Sequence, residues 1–347
     1  MRLLTIGVFW AAAMAAATQP ANDPSAAIGK GVRWLVQLQG RDGGWGQDGG
    51  ETSLVRIGER LETQGNDVAN TAVATLALVR SGQASTPAAR RGVDFILREV
   101  EASPEEGLAV TRVTGSQIQR KLGPYIDTFL TSMLLGELDG RMGDARTNQR
   151  VHAALEKCVR KIQKNQQSDG SWNNTGGWAP ILGTSMASRS LDVAAKRGVK
   201  VEPTVVARVR EYTKNSARDG GAVGGAAAGV PLYQRAQELE QLSRTDADRA
   251  KNAREIRSIT GALSQSRFVQ GFGSMGGEEF FSYLNISDSL HRTGGPEWTR
   301  WNNQIKTTLV ELQNQDGSWA GHHCITGRVA VTSAAVLTLL AEREPGK

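Results

Sequence analysis

The chain has 347 residues, 39% hydrophobic and 22% charged, the profile of a soluble globular protein with room for a sizeable core. Its 41 lysines and arginines face 35 aspartates and glutamates spread along the whole chain, a formal charge of +6. No dense basic block with interleaved aromatics occurs, so nucleic acid is not expected as a partner.

Arg2 opens the chain and is followed by an uncharged apolar run, 3–17, that ends on Ala15, Ala16 and Ala17 before the polar stretch 18–24. A positive start, an apolar middle and a small-residue end predict a secretory leader at 1–17. A short linker at 18–27 and a folded body at 28–343 would follow. The run falls short of the ~20 residues a spanning helix needs, and no later segment is apolar enough to cross a bilayer. The expectation is an exported protein, periplasmic or extracellular, with no transmembrane segment after leader removal. Cys158 and Cys324 fall in non-neighbouring repeat units and are expected as free thiols, Cys158 in a helix.

One pattern is written three times, Gln-x-x-x-Gly-x-Trp: Gln39, Gly43 and Trp45; then Gln166, Gly170 and Trp172; then Gln313, Gly317 and Trp319. Apolar residues at helical spacing precede each copy, such as Val32, Leu35 and Val36, or Leu155, Val159 and Ile162, or Ile305, Leu309 and Leu312. Asp-Gly then stops the helix, because Gly takes the left-handed backbone cheaply and Asp tolerates a turn. Trp supplies a large anchor with one donor, and Gln two donors and an acceptor, so the loop can pin one helix end to the next unit. A second helix of small residues follows each copy, opened by Thr71, Thr184 and Thr332, whose hydroxyls are expected to cap it.

Weaker copies fill the gaps. A first helix around Gly92 and Phe95 is paired with one from Tyr125 through Asp127 and Thr128. Another pair comprises 205–215 and a partner around 232–242, and a charge-rich 246–268 is paired with 278–290. Six units spaced ~50–65 residues signal a repeat architecture, and six helix pairs can close without leaving an open edge.

The three motifs resemble the QW repeat of the squalene–hopene cyclase, oxidosqualene cyclase and protein prenyltransferase superfamily. The resemblance covers nearly all of 28–343 and implies an all-α fold, an α/α toroid of six helix pairs closed into an (α/α)6 barrel. Class II cyclases of that family carry Asp-x-Asp-Asp-Thr-Ala at the start of an inner helix, where this chain has Asp67, Val68, Ala69, Asn70, Thr71 and Ala72. The family's proton donor is the middle Asp, here Ala69, and neither Ala69 nor Asn70 can present a protonated acid. Asp67 and Asn70 are expected to cap a helix instead. A single barrel and 5% aromatics also speak against polyene cyclisation, which aromatic faces assist through cation–π attraction. The prenyltransferases of the superfamily bind zinc. His322, His323 and Cys324 are the only local cluster of soft ligands, too few for a zinc site by themselves, so no cofactor is expected, with zinc at these three residues as the alternative.

If every loop joins an outer helix to its inner partner, the inner-helix starts surround one mouth. That mouth would gather Asp67, Asn70 and Asp127, the catalytic candidates, with a ligand-binding rim of Glu278, Glu279, His322, His323 and Arg328 over an apolar hollow. The function expected from this is a non-catalytic module binding a hydrophobic small molecule or a protein partner. The alternatives are a terpene cyclase or prenyltransferase-class enzyme acting on an isoprenoid or other lipid, and a toroid of the polysaccharide lyase type.

Overall fold

The structure is a computed structural model describing residues 24–47, 65–172, 180–218, 236, 238–240, 242–243, 246–263, 276–322 and 324–342. The expected leader and His323 lie outside these residues. The described residues are helical and contain no strand, only an isolated bridge between Trp45 and Asp67. In chain order the helices are α1 (Pro24–Gln37), α2 (Val68–Leu78), α3 (Pro87–Ala102), α4 (Gln117–Leu122), α5 (Ile126–Leu138), α6 (Ala145–Lys164) and α7 (Pro180–Lys196). They continue as α8 (Pro203–Arg218), α9 (Asp246–Lys251), α10 (Ala253–Leu263), α11 (Gly277–Thr293), α12 (Gly295–Glu311) and α13 (Arg328–Leu339). Helix α1 begins ahead of the body expected from residue 28 and already buries Ala27.

Two kinds of helix alternate. In α6, Val151, Ala154, Leu155, Cys158, Val159 and Ile162 form one buried stripe and the opposite face is polar, as suits an outer helix. In α2 and α5 every residue is buried, and in α13 every residue after Arg328. A helix covered all round belongs inside. The small side chains of Ala69, Ala72, Ala74 and Ala77 on α2, or of Ala330, Ala334 and Ala335 on α13, let such helices pack on neighbours on both sides.

Packing follows chain order. Helix α2 lies against α5, α5 against α7, α7 against α11, α11 against α13, and α13 returns to α2 and α1. Five inner helices, α2, α5, α7, α11 and α13, are thus described. The inner helix expected at 232–242 is helical at the residues described there, 236, 238–240 and 242. The charge-rich outer helix expected over 246–268 is two pieces, α9 and α10, divided at Asn252. Short α4 has no counterpart in the expected scheme.

The three motif loops are wired alike. Nε2 of Gln39, Gln166 and Gln313 donates to the carbonyl of the motif's own Gly43, Gly170 or Gly317, at 2.8, 3.1 and 2.9 Å. The same nitrogen donates to a carbonyl at the start of the next outer helix: Ala88, Val205 and Ala27, at 2.8, 3.0 and 2.9 Å. Each Trp ring is buried and its Nε1 donates at 2.7 Å to the carbonyl ten residues upstream: Leu35, Ile162 and Leu309. Gly43, Gly170 and Gly317 have φ of +92°, +93° and +94°, and a Cβ on any of them would press on the backbone carbonyl of Arg91, Arg208 or Lys30. Only glycine meets both demands.

The capping expectation for the threonines is corrected. Inner helices α2, α7 and α13 begin at Val68, Pro180 and Arg328, so Thr71, Thr184 and Thr332 sit inside the first turns. The hydroxyls of Thr71 and Thr332 accept from the amides of Trp45 and Trp319 at 2.9 Å, so they satisfy the loop rather than their own helix.

Candidate functional site

Helix α2 starts on Asp67, whose Oδ1 accepts the Asn70 amide and whose Oδ2 accepts the Asn70 side chain, both at 2.8 Å. Asp67 is therefore the N-cap, and both its oxygens are engaged. Burial pushes its carboxyl above the ordinary range despite the bonds from Asn70. Asp127, in the first turn of neighbouring α5, is also buried. Its Oδ2 accepts from Gln119 Nε2 at 2.7 Å, while Oδ1 is enclosed without a hydrogen-bond partner among the described residues. Burial, reinforced by the charge of Asp67, pushes Asp127 up to about 7. The two carboxyls come together around the Ala69 backbone, whose amide acts on both.

Helix α4 lies over this mouth. Ser116 and Gln119 form a capping box that starts it, and Gly123 at φ +113° ends it. From this one turn Gln119 reaches Asp127 on α5, and Gln117 reaches Thr326 and the Gly327 amide just before α13. Lys121 is close enough to act electrostatically on Glu278 of α11. Helix α4 thus bridges the expected rim from α5 to the start of α13.

The expected rim residues divide. Glu278 and Glu279 are buried at the start of α11. Burial raises Glu278, although the Cys324 thiol hydrogen-bonds to it. Tyr283 Oη donates to Glu279 at 3.3 Å, within the same helix. Cys324 is buried at φ +64°, the one non-glycine residue with positive φ among those described. Arg328 does not belong to the rim. It turns outward to Asp316 at 2.8 Å and lies 5.1 Å from the Trp34 ring of α1. His322 lies in the loop before Cys324. Among the described residues no group of three or more His, Cys, Asp or Glu is placed to hold a metal ion.

The opposite mouth, at the C-terminal ends of the inner helices, was not expected to carry a site. There Arg80, just past α2, pairs with Glu137 of α5 and with Asp288 of α11 at 3.4 Å. Arg189 of α7 pairs with Asp288 at 2.6 Å and with Glu240 at 3.5 Å, and Arg292 pairs with Glu240. Helices α2 and α11 are not ring neighbours, so the Arg80–Asp288 contact crosses the interior. Burial alone would raise Asp288, but Arg80, Arg189 and Arg292 hold it below the carboxylate range. A cavity of about 560 Å³ opens beside this lattice, lined by Arg141, Lys196, Arg197 and His291 among others. These residues escaped sequence reasoning because they share no local motif. The one available signal was charge on helices otherwise made of small and apolar residues, as at Arg189 and Asp288.

Residues 6–115 match the family described as the squalene-hopene cyclase C-terminal domain. The chain is 36% identical over 81 residues to the squalene–hopene cyclase of Bradyrhizobium diazoefficiens, covering 22% of this chain and 11% of that protein. It is 38% identical over 86 residues to the probable squalene–hopene cyclase of Sinorhizobium fredii, covering 23% and 12%. The chain thus spans about a tenth of the length of these curated relatives. No described helix is long and apolar enough to cross a membrane.

Proposed function

We propose, taking the likeness of the first third of the chain to the squalene-hopene cyclase C-terminal domain as premise, that this toroid binds a hydrophobic small molecule or a protein partner and does not cyclise polyenes. One observation carries the reading. The position matching the cyclase acid is Ala69, fully buried, and the only carboxylate left in that segment, Asp67, has both oxygens engaged by Asn70. An acid that must leave its proton on carbon needs a free, protonated oxygen aimed at the substrate, and this segment offers none. In this reading the Gln-x-x-x-Gly-x-Trp loops are QW-type fasteners and no cofactor takes part. The test is incubation of the purified protein with squalene and with prenyl diphosphates, followed by mass spectrometry of products and of co-purifying lipids. Turnover that disappears in Asp127→Asn would sink the binding reading.

A second reading has its own observation. Asp127 is enclosed, is pushed up to about 7 by burial, and keeps one oxygen without a partner among the described residues. It can therefore act as a displaced acid, delivering its proton to an alkene while Gln119 steadies the carboxylate left behind. Turnover would then fall as pH rises past 7, with Asp127→Asn inactive at every pH.

Export remains part of the proposal and rests on the pattern at 1–17. The family match begins at residue 6, inside that stretch. Fractionation of cells producing the full chain, with N-terminal sequencing, tests it: an intact Met1 in the cytoplasmic fraction overturns export.

A further inference from the structure

The four carboxylates of the second mouth, Glu137, Asp192, Glu240 and Asp288, all lie within ion-pair reach of three arginines, Arg80, Arg189 and Arg292. Three further cations face the cavity, Arg141, Lys196 and Arg197, and none has a carboxylate within ion-pair distance among the described residues. Among the described residues, six cations against four carboxylates leave an excess of two positive charges.

Arg141 and Arg197 also press on each other. Arg141 is held below its ordinary range, first by partial burial and then by the charge of Arg197. Like charges turned toward one hollow are unfavourable until an anion enters between them.

The plain alternative is that these cations only neutralise helix C-termini, which carry roughly half a negative charge each. That accounts for part of Arg197, whose Nε donates to the Gly136 carbonyl near the end of α5 at 2.8 Å. It leaves the rest of that guanidinium without a hydrogen bond among the described residues. The side chains of Arg141 and Lys196 hydrogen-bond to no carbonyl among the described residues. Guanidinium forks match the spacing of phosphate oxygens, and an ammonium adds a point charge.

The geometry points to a binding site for a phosphate-type dianion in this cavity, held by Arg141, Lys196 and Arg197 in front of the buried ion lattice. The excess of two charges matches a phosphomonoester, which carries about −1.5 to −2 at pH 7. A volume of about 560 Å³ admits the phosphate together with a modest organic group. The site lies at the end of the ring away from Asp127, so it does not depend on what the first mouth binds.

The test is calorimetric titration with inorganic phosphate at fixed ionic strength, using chloride as reference anion. Saturable one-site binding is expected, weakened about tenfold or more (about 1.4 kcal/mol) in Arg141→Ala/Lys196→Ala and unchanged in Asp127→Asn. Arg141 and Lys196 stand outside the buried lattice, so the double variant should fold. Should it melt early, Arg141→Gln alone gives the same comparison. A second arm measures co-sedimentation with phosphatidylcholine vesicles with and without phosphatidic acid. Binding confined to the phosphatidic acid vesicles and lost in the variant assigns the phosphate to a lipid head, whereas binding in solution assigns it to a soluble ester. No saturable binding in either arm, binding no tighter than to chloride, or full binding by the variants overturns the proposal.

Discussion

Gln313 donates to the carbonyl of Ala27 at 2.9 Å, a contact between residues 286 positions apart. Gln39 makes the same bond to Ala88 and Gln166 to Val205, each to the outer helix that follows. For Gln313 the helix that follows is the first one. Asp316 reinforces the junction by accepting from Trp34 at 3.2 Å and from Arg328 at 2.8 Å.

If the last loop grips α1 as the other loops grip their neighbours, Gln313→Ala should lower unfolding stability by about 1–3 kcal/mol, the range for leaving buried polar groups unpaired. Gln166→Ala should cost a similar amount. Trp319→Ala should cost more, about 3–5 kcal/mol, since a large buried side chain is lost. Urea unfolding of the three variants checks this. A neutral Gln313→Ala beside a costly Gln166→Ala would mean that the two ends of the chain do not hold each other.

Asp127 ties stability to pH. Its folded-state carboxyl is raised to about 7 from an ordinary value of 3.8, so the folded protein keeps a proton that the unfolded chain releases. Stability from this group is full below about pH 4 and is lost as pH rises toward and through 7. A shift of this size corresponds to on the order of 4 kcal/mol. Asp67 is raised as well and acts in the same direction. Asp127→Asn keeps an acceptor for Gln119 without the charge, so it should match wild type at pH 4 and exceed it at pH 8. Thermal melts of both proteins at the two pH values decide, and equal melting at pH 8 would sink the assignment.

Much of this was legible in the sequence because the loop chemistry is local. Gln39, Gly43 and Trp45 lie within one turn of chain, and their roles follow from residue type: a double donor, a residue tolerant of positive φ, a flat anchor. Asp67 as a helix cap was readable for the same reason. The Asp127 environment was not, because its partners Gln119 and Asp67 come from α4 and α2, and no periodicity encodes a six-residue helix crossing a mouth. Arg328 misled for a related reason. Its place at an inner-helix start was right, but Asp316 and Trp34 draw its side chain outward.

The ion lattice of the second mouth gives a prediction of its own. Asp288 is shared by Arg80 and Arg189, both nearly buried. Asp288→Ala would leave two guanidiniums without that partner and should destabilise by about 3–5 kcal/mol, as removal of one member of a buried ion pair does. Arg141→Ala, at the cavity rim and without an ion pair, should stay within about 0.5 kcal/mol. If both variants unfold at the same denaturant concentration as wild type, the lattice contributes nothing to stability and must be solvated in solution.

The two thiols supply a last prediction, one that also reports on α4. Neither is in a disulfide and both are buried. Cys158 lies on the inward stripe of α6, where burial pushes it up to about 12 although Lys157, Arg160 and Lys161 pull the other way. Almost no thiolate then exists at neutral pH, and only the thiolate is alkylated. Cys324 is protected differently, by its place beside Glu278 near the mouth that α4 bridges. Iodoacetamide at pH 8 should therefore leave Cys158 untouched until global unfolding, while Cys324 reacts whenever its surroundings open locally. Time-resolved mass spectrometry should show one label, on Cys324, well before a second. Substituting Gln117 by Ala removes the bonds between α4 and the Thr326–Gly327 segment and should speed the first label without changing the second. Equal rates at both cysteines in wild type and variant would mean that α4 opens only when the whole fold does.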